Sequence, residues 1–391
     1  MFGALGTFLL AAFYLPMSLL APLPPASATA VAASVADNPG VELDWPEFGA
    51  SAVGAVGFPG VLASTDPDSP HPIASITKII TSLVVLEEKP LSDGEPGPTI
   101  TMTSADVALY GSFIARNGEV RPVWAGLALS QRQVMEIVLI ASANNYAQTL
   151  ATWAFGSEAA FVDAANTWLD NNGLSGTSIS DSTGMNPANV STTTDLIALG
   201  KLAMADPTVS AIVAMPSAAI PHLGTIENTN ELLGVGGVTG IKTGTLPEAG
   251  SCLLFASTIH AGGRDVTIVG VVLGGPDHST LNAAIRSLIA SAAPGFRELP
   301  LASAGEAFYT YETGWGQRAR AVAARDVSTL VWAGTPIAVS PNAREVRDGK
   351  PGDTVGEVVV RVGDTRVAVP LVLDAEVSDP GPWWRLTHPF G

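Results

Sequence analysis

The amino-acid sequence predicts an α+β fold: an antiparallel sheet flanked by helices, followed by a small all-β C-terminal domain. Two observations lead there. Between residues 41 and 293, strand-like runs come first, a helical block follows, and three more strand-like runs and a helix close the region. That order is expected when helices pack against an antiparallel sheet. Beyond Pro294-Gly295 the segments become short, rich in Val and Thr, and separated by Gly, Asp and Pro, the pattern of an all-β module.

The elements follow in order. Residues 2–23 are apolar, interrupted by Pro16, and neither Lys nor Arg precedes Lys78. About 20 apolar residues suffice to span a bilayer, and a secretory signal ending near Ala26-Ser27-Ala28 is the other reading. Either way residues 1–40 are expected to be a signal or membrane anchor plus an extended linker over Pro22–Ala36, and the chain to be exported; cleavage stays open. Ser51–Ala63 suggests two short strands and a turn around Gly57-Phe58-Pro59-Gly60. Ile76, Ile79, Ile80, Leu83, Val84 and Leu86 then recur at a helical period. Ser75 is thereby placed at a helix N-terminus, where the dipole favours developing negative charge.

Helical patterns continue over Gln131–Ala141 and Tyr146–Phe155, with Ser142-Ala143-Asn144 in the break, and a mixed stretch covers Glu158–Ala205. Val238–Thr245, Ser251–Ile259 and Val266–Leu273 read as strands joined by Gly-containing turns, and Leu281–Ala292 as the closing helix. In the tail (residues 301–391), Val358–Val362 and Thr365–Val369 flank Gly363-Asp364 as a hairpin.

Composition bounds the function. The 391 residues are 47% hydrophobic and 14% charged, ample for a large core, and the net charge is −17. Nucleic-acid binding needs clustered Lys and Arg, so that class is excluded. Cys252 is the single cysteine, read as a small buried hydrophobe. The five His residues are scattered with no HExxH or CxxC partner, so neither a metal nor another cofactor is expected.

Three short motifs carry the chemistry: Ser75-Ile76-Thr77-Lys78, Ser142-Ala143-Asn144 and Lys242-Thr243-Gly244. A serine nucleophile needs a neighbour to take its proton. A lysine three residues on, along one helix, lies on the same face one turn away. Each motif alone is weak, since Ser75 can be a helix cap and Lys78 a solvated helix residue. All three in this order are specific.

Together with Asp181-Ser182-Thr183-Gly184-Met185-Asn186-Pro187, Thr229-Asn230-Glu231-Leu232-Leu233 and Gly240-Ile241 ahead of Lys242, these motifs resemble the serine D-alanyl-D-alanine carboxypeptidases, the low-molecular-mass penicillin-binding proteins, over roughly residues 51–293. The resemblance implies the β-lactamase/penicillin-binding transpeptidase fold, with residues 41–293 as catalytic domain. The partners it implies are a peptidoglycan stem peptide ending in D-Ala-D-Ala and β-lactams as covalent inhibitors. Membrane attachment would run through the N-terminal segment.

Residue roles follow from the same resemblance. Ser75 attacks the carbonyl between the two D-alanines. Lys78 is the base and must be neutral, which means lowering a pKa near 10.4 to roughly 7–8, about 4 kcal/mol, through burial and Lys242. Ser142 relays a proton to the leaving nitrogen, and Asn144 holds the substrate amide and the Lys78 amine. Lys242 and Thr243 receive the terminal carboxylate, Gly244 lets the substrate lie flat along the strand, and the N–H groups of Ser75 and Thr245 form the oxyanion hole. One departure stands out: many relatives carry an Arg after the strand following the Lys-Thr-Gly strand, where Gly274–Ser279 offers only His278. The rivals are a β-lactamase and a catalytically idle peptidoglycan-binding relative. A class A β-lactamase needs a deacylating Glu in an E-x-x-L-N loop, a context that Glu158, Glu227 and Glu231 lack.

Overall fold

A computed structural model describes residues 12–32, 37–92 and 94–388 of the chain. They fall into two compact units, Glu42–Pro294 and a second unit that joins the C-terminal residues from Gly295 to the N-terminal segment up to Val41.

The larger unit is built on a five-stranded antiparallel sheet in the order Val238–Leu246, Gly250–Ala261, Arg264–Gly275, Ser51–Ala55, Ala63–Ser64. Residues 251–257 are buried without a break, so both faces of this strand are covered and period-two alternation is absent. Helix Thr193–Ala205 packs so closely on the sheet that a Cβ at Gly200 would lie 2.5 Å from Val269. Helix His278–Ala292 starts at Asp277, whose carboxylate accepts from the Thr280 N–H.

Helix Thr77–Glu88 is buried from Thr77 to Leu86. Such all-round burial belongs to a helix at the centre of the core rather than on its surface. Its Ile79, Ile80 and Val84 share one core cluster with Ile137, Tyr146 and Leu150 of the following helices Gln131–Ile140 and Asn144–Phe155. A further helix, Ser104–Ile114, begins with a capping box between Thr103 and Asp106. It buries only Phe113, so no apolar stripe announced it.

The second unit is all-β apart from short helices. Its six-stranded sheet runs Ser27–Ala30, Ala307–Glu312, Arg318–Ala323, Thr365–Leu373, Thr354–Val362, Ile337–Ala343, and Phe296–Ala302 pairs separately with Val327–Trp332. The hairpin closes with Val362 opposite Thr365 around Gly363-Asp364. Phe308, Tyr311, Val358, Val360, Val369 and Leu371 form the core.

The stretch expected to be a linker behaves differently. Ser27–Ala30 is an edge strand paired antiparallel with Ala307–Glu312, and the Ala26 N–H donates to Val346 O at 2.7 Å. Pro22, Pro24 and Pro25 keep the chain ahead of this strand from continuing as helix, and a free sheet edge captures it. Residues 33–36 of that linker, and residues 1–11 of the apolar segment, lie outside the described residues. Residues 12–20 are helical, with Ser18 buried while Phe13, Met17 and Leu20 are exposed. Tyr14 Oη donates to Leu386 O, and Arg385 Nη1 to Ala21 O at 2.6 Å. Among the described residues, no single helix is long and apolar enough to cross a membrane.

Candidate active site

Ser75 sits in a single 3₁₀ turn, Ala74–Ile76, that runs into helix Thr77–Glu88. Ala74 adopts φ +46°, a left-handed conformation unusual for a residue with a side chain. One turn on, Lys78 is fully buried, and its Nζ lies 2.8 Å from Ser75 Oγ, 2.6 Å from Asn144 Oδ1 and 2.7 Å from Thr183 O. Two of these three partners are carbonyl oxygens that can only accept; the third is a hydroxyl that can also donate. A neutral amine has two N–H groups and one lone pair. In that form the two hydrogens go to Asn144 Oδ1 and Thr183 O, which leaves the lone pair to accept from the Ser75 hydroxyl. The surroundings favour that protonation state, since burial, and after it the Lys242 cation, hold the Lys78 amine well below the ordinary lysine value.

Lys242 reaches the same region from the sheet edge. Successive residues of strand Val238–Leu246 face opposite sides. Lys242 is buried, its Nζ 3.1 Å from Thr243 O, and burial lowers its pKa to about 7 while Glu119 pushes it back up. Gly244 faces the nucleophile's turn. A Cβ there would lie 3.1 Å from both Ala74 Cβ and Ile73 O, and 3.2 Å from Ser75 N. The missing side chain thus lets the strand close on Ser75, a different reason from room for a substrate. Thr243 and Thr245 face the other way: Thr243 Oγ1 lies 2.6 Å from Thr229 Oγ1, and Thr245 Oγ1 2.7 Å from His278 Nε2.

Ser142 takes φ +57° in the break between helices, and Asn144 begins the next helix. Ser75, Ser142, Asn144, Thr243, Gly244 and Thr245 all line one cavity of about 750 Å³. Lys78 and Lys242 lie behind its wall. All eight residues picked out by the motifs are therefore in one place.

Several contributors were not anticipated. Thr183 supplies the carbonyl that fixes Lys78, and Asp181 fixes Thr183: its carboxylate accepts from the N–H groups of Thr183, Gly184 and Asn186 at 2.6–2.7 Å. An Asp followed by Ser-Thr-Gly is a turn signature that points to this role. Gly184 cannot be replaced, since a Cβ would lie 1.9 Å from Ala74 O. Glu158 binds the Ser182 N–H and hydroxyl at 2.7 and 2.8 Å and is absent from the cavity lining. Burial raises its pKa. Arg116, Asn117, Gly118 and Glu119 form a further wall of the cavity for which the motifs gave no signal. Among the described residues, no group of three or more His, Cys, Asp or Glu is placed to hold a metal ion.

A seryl hydroxyl held on a buried amine whose pKa is pushed well down, beside a second lysine and a sheet edge, is equipped for acyl transfer from an amide or ester. Comparison with known proteins gives the same class. A model of the D-alanyl-D-alanine carboxypeptidase family matches residues 59–277. A D-alanyl-D-alanine endopeptidase of Pseudomonas aeruginosa is 34% identical over 247 residues, covering 60% of this chain and 74% of the relative. A D-alanyl-D-alanine carboxypeptidase of Mycobacterium tuberculosis is 31% identical over 228 residues, covering 56% and 74%. Among solved structures, a DD-transpeptidase of Streptomyces superposes with a TM-score of 0.55 at 26% identity, covering 66% of this chain and 98% of its own. A D-alanyl-D-alanine carboxypeptidase of Francisella tularensis gives 0.59 over 90% of this chain and 97% of its own; at 19% identity it speaks for the fold alone. The chain belongs to the D-alanyl-D-alanine carboxypeptidase family, and its activity is that of a serine-type D-Ala-D-Ala carboxypeptidase acting on peptidoglycan peptides.

Proposed function

We propose that the eight clustered residues divide the reaction as follows. Ser75 Oγ attacks the carbonyl of the penultimate D-alanine while its proton passes to Lys78 Nζ. The oxyanion accepts hydrogen bonds from the N–H groups of Ser75 and Thr245, each such donor contributing about 3–4 kcal/mol in comparable sites. The proton then travels by way of Ser142 to the amide nitrogen, the C–N bond breaks, and the terminal D-alanine departs, leaving an ester on Ser75. Lys78, again neutral, takes a proton from water as it attacks that ester, and the proton returns to Ser75. Asn144 orients the Lys78 amine and the substrate amide, while Lys242, with Thr243, attracts the terminal carboxylate. The observation that carries this reading is the buried Lys78 amine 2.8 Å from the Ser75 hydroxyl, with burial and then Lys242 holding its pKa well below the ordinary lysine value.

β-Lactams should act as covalent inhibitors. The Glu158 carboxylate is committed to Ser182, and none of Glu158, Glu227 and Glu231, the glutamates between the second and third motifs, lines the cavity where a deacylating water would be activated. The test is incubation with a peptide ending in Lys-D-Ala-D-Ala. Wild type should release one D-alanine per peptide and be blocked by benzylpenicillin for minutes or longer. Release that continues in Ser75→Ala would refute the mechanism.

We infer further that the enzyme works outside the cytoplasm with its N-terminal segment against the membrane. What supports this is a helix, residues 12–20, that leaves Phe13, Tyr14, Leu15, Met17 and Leu20 exposed, beside helix Pro382–Thr387 whose Trp383 is 79% exposed. Water disfavours that arrangement and an interfacial lipid layer favours it. The full chain should sediment with lipid vesicles, and Met17→Lys/Leu20→Lys should release it; equal binding by the double variant would remove the helix from this role.

A further inference from the structure

The wall formed by residues 116–119 stands on the cavity's Asn144 side and is built to stay there. The Asn144 N–H donates to Glu119 O at 2.7 Å, Asn145 brackets Arg121 by accepting from its N–H and donating to its carbonyl, and Tyr146 Oη donates to Pro122 O at 2.7 Å. Three consecutive residues, beginning with Asn144 of the second motif, thus pin Glu119 of the wall and Arg121 and Pro122 just beyond it. Gly118 packs on Asn144 itself, where a Cβ would lie 2.8 Å from Nδ2. The same cavity is lined by Thr243, which together with the buried Lys242 attracts the terminal carboxylate. With its terminal carboxylate at Lys242 and Thr243, its scissile carbonyl on Ser75 and its amide on Asn144, a peptide continues upstream on the Asn144 side, where this wall stands.

Among the cavity-lining residues, Glu119 carries the one carboxylate, and Arg116 the one guanidinium. The Arg116 guanidinium is held 4.5 Å over the Phe113 ring. Glu119 is 69% exposed, and its nearest cation, Arg121 Nη1, is 3.7 Å away, a Coulombic contact without a hydrogen bond. The carboxylate is also near enough to the buried amines to raise the pKa values of Lys78 and Lys242. An accessible anion on a rigid wall, upstream of the scissile bond, is a receptor for a cation on the substrate.

We propose that Glu119 selects the residue preceding D-Ala-D-Ala, binding the side-chain ammonium of a diamino acid at that position. This rests on the carboxypeptidase reading above and specifies which stem peptides it favours. Because the site is partly exposed, the discrimination should be moderate, about three- to tenfold.

The experiment compares two peptides differing only in that ammonium, one ending in Lys-D-Ala-D-Ala and one in Nε-acetyl-Lys-D-Ala-D-Ala, by kcat/KM for D-alanine release. Wild type should favour the free amine about three- to tenfold, mostly through KM, and added salt should erode the preference. Glu119→Gln should bring the ratio near one, and Glu119→Asp should retain part of it. The ratio is the readout because a change in Lys78 or Lys242 electrostatics affects both peptides alike. A wild-type ratio near one, or a preference retained in Glu119→Gln, overturns the proposal. Absence of D-alanine release from both peptides would instead refute the carboxypeptidase reading, and this assignment with it.

Discussion

The two buried lysines pull in opposite directions with pH. Lys78 must be neutral to accept the Ser75 proton, so activity rises as pH climbs through its lowered pKa. Lys242 must be charged to attract a carboxylate, and its charge is lost as pH rises through about 7. Because kcat/KM reports the free enzyme, the profile should be bell-shaped with an alkaline limb beginning near pH 7, the two limbs belonging to the pair jointly. Activity that stays flat to pH 9 would remove Lys242 as the carboxylate's cation. Lys78→Ala should cost about 10²–10⁴-fold in benzylpenicillin acylation. It should also destabilise, since Asn144 Oδ1 and Thr183 O lose their donor, at about 1–3 kcal/mol for each buried group left unpaired. Asp181→Ala acts one step further back. It frees the N–H groups of Thr183, Gly184 and Asn186, so the acylation rate should fall together with thermal stability. Unchanged acylation in this variant would show that the Lys78 amine does not depend on Thr183 O.

Strand Val238–Leu246 has to approach the Ser75 turn closely, and Gly244 is what permits it. In Gly244→Ala a methyl group would meet Ala74 Cβ and Ile73 O at 3.1 Å, so strand and turn must separate by a few tenths of an ångström. Misplacement on an ångström scale costs up to about 100-fold. Acylation should therefore drop by about tenfold or more with little change in melting temperature, and wild-type acylation in Gly244→Ala would show that the contact is slack. The elements carrying the motifs were legible in the sequence because their spacing is local: a Ser and a Lys on one helix turn, a Lys and a Gly two apart on one strand. The wall at Arg116–Glu119 was not, because its place depends on bonds from Asn144, Asn145 and Tyr146 that sequence separation conceals. Helix Ser104–Ile114 was missed for a different reason: only Phe113 is buried, so it lacks the apolar stripe by which helices are read.

At the scale of the whole molecule, the segment Ser27–Ala30 and the C-terminal sheet are one structure. Ser27–Ala30 pairs with Ala307–Glu312 and covers what would otherwise be an open sheet edge, which is prone to pairing with other chains. Cleavage near Ala26-Ser27-Ala28 would cut into this strand. Retention of the segment in the mature protein is therefore expected, and the intact mass of the exported enzyme checks it. Deleting residues 1–32 should have separable consequences. The cavity is lined by residues between Ser75 and His278, all in the other unit, so benzylpenicillin should still acylate Ser75. The C-terminal unit loses four inter-strand residue pairs, so amide exchange across residues 307–312 should accelerate and concentrated samples should self-associate. Cooperative opening follows such local losses of backbone pairing rather than the global stability. Unaltered exchange at those amides would mean the strand contributes nothing to the sheet, and loss of acylation would mean the catalytic unit depends on it.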